Sequence, residues 1–159
     1  MKKLPLTTQR NNKKLSPVLS GVAGEYFVAA ELSRLGYIAT VTLRNTKGID
    51  ILVSNEKASK SIGLQVKTSQ GAKRWLLNKK AEEYFADNLF YAFVVLKAKN
   101  SRPDYYIVPS KVVAEFIKVS HADWLRTPGK RGQAHQDTAM RAFEDKADIY
   151  LERWDALGL

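Results

Sequence analysis

The sequence predicts an α/β sandwich, a mixed β-sheet flanked by helices, in one domain over residues 16–159 behind a basic arm of residues 1–15. Three observations carry that expectation. Segments with helical periodicity alternate with short β-branched segments along the chain. The run 91–97 is apolar almost throughout, as strands buried on both faces are. A length of 159 residues with 45% hydrophobic side chains, three Trp, seven Tyr and six Phe suits one real core and excludes whole-chain disorder.

The first 15 residues mix Lys, Asn, Thr and Gln without periodicity. Ser16 before Pro17 reads as a helix start, Ser as N-cap and Pro at the first helical position. The helical pattern runs to Leu35 and Gly36 ends it. Residues 37–43, 49–53 and 62–68 read as strands, the last two joined by the polar segment 54–61. A short strand is expected at 74–77 and a short helix at 79–86. Strands follow at 91–97 and 105–108, the second stopped by Pro109. Ser110 is expected to cap a helix to about Val119. Residues 127–135 form a basic loop carrying Lys130 and Arg131, with Arg126 just before it. Short helices at 137–143 and 147–157 are expected to make a small C-terminal helical extension anchored by Trp124 and Trp154. Tyr84, Phe85, Phe90, Tyr91 and Phe93 are expected in the core.

Several function classes drop out. No apolar run approaches the roughly 20 residues that cross a bilayer, so no membrane span is expected. The segment from Met1 to Lys14 is basic and lacks the apolar stretch of a signal peptide. The absence of Cys excludes a disulfide framework, a thiolate zinc site and a cysteine nucleophile. A cytoplasmic location is the expectation. His121 and His135 make no metal-ligand spacing and read as surface or loop residues.

The net charge of +10 is unevenly spread. Residues 1–80 hold 15 basic and four acidic side chains, a balance of +11, while residues 81–159 come to −1. Such a one-sided excess points to a polyanionic partner, nucleic acid above all, with a solubility device as the plainer alternative. An acid in that half is an electrostatic cost unless it meets a cation. The four are Glu25, Glu31, Asp50 and Glu56.

Two of them fall into a pattern. A hairpin centred between Lys57 and Ala58 pairs residues whose numbers sum to 115, so Asp50 lies across from Gln65. Lys67 shares the Gln65 face by strand alternation, while Ile49, Ile51, Leu64 and Val66 are expected to point the other way. A carboxylate, an amide oxygen and an ammonium thus group on one side. On the first helix Glu25 is followed at helical spacing by Val28, Ala29, Leu32 and Leu35, the face that packs on the sheet. A carboxylate there calls for a charge or a metal. Glu31 has Arg34 three residues on and reads as ordinary surface. Gly21 and Gly24 lower helix stability by ~1 kcal/mol each and leave room for another backbone, such as a nucleic acid strand.

Gly21 and Glu25 on a first helix, then Gly48-Ile49-Asp50-Ile51 and Gln65-Val66-Lys67-Thr68-Ser69, resemble the core motif of the PD-(D/E)XK nuclease superfamily. The layout is most similar to its Holliday-junction resolvase and Mrr-like branches. The resemblance covers about residues 17–69 and implies a restriction endonuclease-like α/β/α sandwich. It further implies an endonuclease that hydrolyses DNA phosphodiester bonds with Mg2+ or Mn2+. Asp50, Gln65, the Val66 carbonyl and Glu25 would hold the metal, and Lys67 would assist the attacking water. Two departures stand. Ile49 replaces the usual Pro, and Gln65 replaces the usual acid, supplying an oxygen but no charge. A non-catalytic nucleic-acid-binding module with the same fold therefore stays as the alternative, as does a protein docking an acidic partner. Gly21, Gly24, Arg44, Lys47, Ser69, Gln70, Lys73, Arg74, Lys79 and Lys80 are the expected nucleic-acid contacts. DNA and RNA are not separated by these residues. Many relatives act as dimers, which leaves a homodimer open.

Overall fold

The computed structural model of the protein describes residues 14–43 and 48–159. Most of the basic arm, with Arg44 and Lys47, lies outside the described residues. Helix α1 (Pro17–Arg34) begins as expected, with the Ser16 hydroxyl accepting the Leu19 N–H at 3.3 Å. A five-stranded sheet runs in the order β1 (Ile38–Val41), β2 (Ile51–Ser54), β3 (Ser61–Gln70), β5 (Leu89–Leu96), β6 (Asp104–Pro109). All its neighbours are antiparallel except β3 and β5, so the sheet is mixed. Strand β4 (Arg74–Asn78) leaves this sheet and pairs with β7 (Met140–Glu144). Helix α2 (Ser110–Arg126) and two 3-10 turns, Lys79–Glu82 and Trp154–Leu157, complete the described elements. No helix among the described residues is long and apolar enough to cross a membrane.

Strand alternation splits the apolar residues into two cores. Ile51, Val53, Ile62, Leu64, Val66, Phe90, Ala92, Val94, Tyr105 and Ile107 pack with Val28 and Leu32 of α1 on one face. Tyr91, Phe93, Val95, Tyr106 and Val108 pack with Val113 and Ile117 of α2, and with Trp75 and Phe143, on the other. Helices therefore cover both faces. Strand β3 is the exception on the second face, where its alternate positions are Gly63, Gln65, Lys67 and Ser69 rather than apolar residues. The missing hydrophobic stripe leaves room for a polar site.

The C-terminal expectation fails. Residues 140–144 form a strand, because Arg141 and Phe143 alternate inward while Met140 is exposed. Phe143 stacks on Phe93 with ring centroids 4.6 Å apart, and Arg141 pairs with Glu82. The second expected helix is a turn held by the Asp145 carboxylate, which accepts the N–H groups of Ile149 and Tyr150, followed by the 3-10 turn. Trp154 is buried against Tyr105, but Trp124 is exposed on α2 and stacks on His135. Helix α2 outruns Val119 and stops where Pro128 disfavours helical geometry at Thr127. Ser110 does not cap it; its buried hydroxyl bridges the N–H and C=O of Ala86. The helix expected at 79–86 is a single turn, leaving Tyr84 and Phe85 exposed instead of in the core.

Glu31 also departs from expectation. It is buried, with Arg34 and Arg102 each at 2.7 Å, and Arg102 reaches on to Glu152. The Arg34 guanidinium, joined by Arg102, holds the Glu31 carboxyl down to about 2 against the burial that would raise it.

Candidate active site

Strands β2 and β3 pair Ile51 with Leu64 and Val53 with Ile62, the register in which Asp50 falls across from Gln65. The ladder ends at Ile51, and Asp50 sits on a bend just before it. Four hydrogen bonds fix the bend. The Asp50 N–H donates to the Leu64 carbonyl at 2.8 Å, and the Thr42 N–H donates to the Asp50 carbonyl at 2.9 Å. The Thr42 hydroxyl donates to the Ile49 carbonyl at 2.7 Å. The Val66 N–H donates to Asp50 Oδ2 at 2.7 Å. The carboxylate therefore turns to the edge of β3 rather than standing over Gln65. The bend also redirects Ile49. An added Cβ on Gly63 would meet Ile49 Cγ1 and Cδ1 at 3.3 Å and Leu89 Cδ1 at 3.4 Å, so Ile49 lies on the β3 face opposite Leu64 and Val66.

Residues of this bend contribute to two cavities. One, of about 330 Å3, is lined by Glu25 and Gly21 of α1 together with Thr42 and Asp50. The other, of about 570 Å3, is lined by Gly48, Gln65, Lys67, Lys80, Tyr84 and Tyr91 among others. Glu25 and Asp50 thus share one cavity, and Gln65 and Lys67 share the other, which Gly48, two residues before Asp50, also lines. Gly48 allows this: its φ is +71°, and an added Cβ would run into the Tyr84 ring. Among the described residues no three His, Asp or Glu side chains gather as a metal cluster. The oxygen donors lining the two cavities include the Glu25 and Asp50 carboxylates and the Gln65 amide.

The expected nucleic-acid contacts sort into two groups. Gly21 and Lys80 line the cavities, and an added Cβ on Gly21 meets nothing within 4 Å. The others among the described residues are occupied within the fold. Gly24 is buried, and an added Cβ would collide with Thr68 Oγ1, so its missing side chain serves the contact between α1 and β3. The Ser69 hydroxyl donates to the Ala72 carbonyl, and the Gln70 amide exchanges two hydrogen bonds with the Leu15 backbone. Lys73 pairs with Asp148 at 2.7 Å, Arg74 with Glu144 at 3.5 Å and Lys79 with Asp137 at 3.4 Å.

Two residues at this place escape sequence reasoning. Thr42 holds the bend from β1, and Tyr91 lies beside Gln65 in the parallel pairing of β3 and β5. Tyr91 reads as core, and its ring is; only the register places it beside Gln65, on the side of the sheet that carries the candidate site. Burial pushes its pKa up to about 12, with Tyr84 and Asp50 adding to the effect, so the phenol stays a donor at neutral pH.

No protein-family model and no curated protein sequence matches the chain. Among solved structures, the bacterial homing endonuclease I-Ssp6803I is similar over 91% of this chain and 94% of its own, at 11% identity and a TM-score of 0.54. The Holliday junction resolvase Hjc of Archaeoglobus fulgidus is similar over 82% and 86%, at 12% identity and a TM-score of 0.45. I-Ssp6803I has a PD-(D/E)XK-like nuclease fold. With a mixed sheet covered on both faces, Gln65 and Lys67 on its central strand and Asp50 just before the neighbouring one, the chain has the restriction endonuclease-like fold that its motifs implied.

Proposed function

We propose that the chain is a metal-dependent endonuclease that hydrolyses phosphodiester bonds of DNA. One observation carries the reading: Asp50, fixed on a bend, shares a cavity with Glu25, and Gln65 and Lys67 line a second cavity to which Gly48 of the same bend contributes. The donor set suits magnesium, which prefers oxygen ligands and is commonly held by one or two carboxylates, waters and the substrate phosphate. Asp50 and Glu25 would supply the charge, with the Gln65 amide oxygen and the Val66 carbonyl as neutral ligands. In an extended strand one residue's N–H and C=O face the same edge, and the Val66 N–H already faces Asp50. A bound ion would acidify a water and clamp phosphate oxygens. Lys67, which makes no ion pair among the described residues, would orient that water and offset the charge gathering on phosphorus. The balance of +11 in residues 1–80 suits a polyanionic substrate, and I-Ssp6803I, which shares the fold, is an endonuclease.

A second reading has an observation of its own. Gln65 stands where an acid is usual, and no third carboxylate joins Asp50 and Glu25 among the described residues. That arrangement suits a module that binds nucleic acid without cutting it. Incubation of the purified protein with supercoiled plasmid separates the two. Nicking or linearisation that requires magnesium or manganese supports the enzyme. Retardation of an intact plasmid, with and without metal, supports the module.

A further inference from the structure

We infer that Tyr91 is a substrate-binding residue whose hydroxyl donates a hydrogen bond to a backbone phosphate oxygen of the nucleic acid, in a seat completed by Lys67 and Lys80. The inference rests on the reading of the site as one that acts on nucleic acid. Its starting point is an anomaly of burial. Tyr91 is 1% exposed, its ring stacks on Phe93 at 5.4 Å, and its hydroxyl is buried with no hydrogen-bond partner among the described residues. Buried hydroxyls are almost always paired, so an orphan at a cavity calls for a partner that arrives from outside. The pairing of Tyr91 with Gln65 puts it on the side of the sheet that carries the candidate site, and Asp50 and Tyr84 are near its hydroxyl end.

The chemistry of the cavity says what that partner is. Lys67 and Lys80 line it and make no ion pair among the described residues. Asn78 lines it too; its Oδ1 accepts the Lys80 N–H at 3.0 Å, which leaves its amide as a donor. Glu83 is the single acid among the described residues of the wall, and it is exposed. A wall of ammonium, phenol and amide donors matches a ligand that offers acceptors only. The non-bridging oxygens of a phosphodiester are such a ligand, and a volume of about 570 Å3 admits the phosphate with its sugar.

The test is thermal melting of the full chain in inorganic phosphate against chloride at equal ionic strength, without divalent metal, for wild type, Tyr91→Phe, Lys80→Met and Lys57→Met. A ligand of the folded state raises the melting midpoint. Wild type and Lys57→Met, altered at the distant hairpin turn, should rise equally. Tyr91→Phe should melt higher than wild type in chloride, since the ring volume is kept and an unpaired hydroxyl removed, yet lose at least half of the phosphate-induced rise. Lys80→Met should lose a similar share. A rise in Tyr91→Phe equal to that of wild type overturns the inference. So does a wild type indifferent to phosphate, or a Lys57→Met that loses as much as Lys80→Met. Plasmid cleavage by wild type, assayed in parallel, keeps the two claims apart. Its absence removes the nuclease reading while a selective phosphate response leaves the seat standing.

Discussion

Along a single helix, α1, two carboxylates meet different surroundings. Glu31 is buried and held by Arg34 and Arg102, and Arg102 continues to Glu152 while lying 4.9 Å over the ring of Tyr105. Less than two turns earlier, Glu25 lines a cavity with Asp50, while Lys67 and Lys80 line a second one. In the first region each charge is met by its opposite at hydrogen-bond distance, which fastens α1 to the C-terminal segment. In the second, the two carboxylates line one cavity and the two ammonium groups another, and neither lysine makes an ion pair among the described residues.

The sharpest way to break this contrast is Asp50→Asn. Asn keeps the oxygen that accepts the Val66 N–H, so the bend and the melting temperature should survive, while the charge at the centre of the site is lost. Cleavage should fall by more than about 100-fold, beyond the loss typical of an outer-shell change. Nicking rates on supercoiled plasmid decide it, and an unchanged rate would remove Asp50 from the chemistry.

Next in size come the two glycines at the Asp50 end of α1. Gly24→Ala forces a methyl group into Thr68 and should destabilise by about 1–2 kcal/mol, overpacking outweighing the helical preference of Ala. Gly21→Ala meets nothing within 4 Å and should stabilise by up to about 1 kcal/mol. Urea midpoints of opposite sign are the expected result. Two stabilised variants would mean that α1 lies farther from β3 than described.

Glu31→Gln probes the other region through pH. The folded carboxyl titrates at about 2 against an ordinary 4.5, so the charged form favours folding. That contribution is complete above pH 4.5 and disappears as the pH falls to about 2. Wild type should exceed the Gln variant by about 1 kcal/mol at neutral pH, a modest value because both arginines are partly hydrated. Urea melts across that window should converge towards the acid end. A difference that stays constant with pH would take the charge out of the account.

Much of this contrast is legible in the residues. The start of α1, the hairpin register and the grouping of Gln65 with Lys67 follow from Ser16-Pro17 and from period-two alternation, which are local signals. The Asp50 bend is not local. It needs Thr42 from β1 and the Val66 N–H left over where β2 ends. Glu31 looks like a surface residue because Arg102 is 71 positions away in sequence. Residues 140–144 carry the alternation of a strand, but pairing with β4 decides it, and nothing in a short segment announces a distant partner. Tyr91 shows the same limit: its composition says core, and only the register against Gln65 carries its hydroxyl to the site.

The smallest expected effect, a several-fold shift for Gln65→Glu, bears on the residue that most strains the comparison. Gln65 lines the cavity of Lys67 and Tyr91, where the motif ordinarily has an acid. If its amide oxygen is a metal ligand, Gln65→Glu adds a charge without changing side-chain length. The magnesium concentration for half-maximal cleavage should then drop several-fold. Turnover need not follow, since a more neutralised ion is a weaker Lewis acid. Gln65→Leu keeps the volume but removes the oxygen, and should lose both metal response and cleavage. Suppose instead that Gln65 only donates a hydrogen bond to a neighbour. The Glu variant would then melt lower, pushed by Asp50, with no gain in magnesium response. Magnesium titrations of plasmid nicking for the three proteins, with thermal melts alongside, separate these cases. A Leu variant that cleaves with unchanged magnesium dependence would show that Asp50 and Glu25 suffice and that Gln65 is not a ligand.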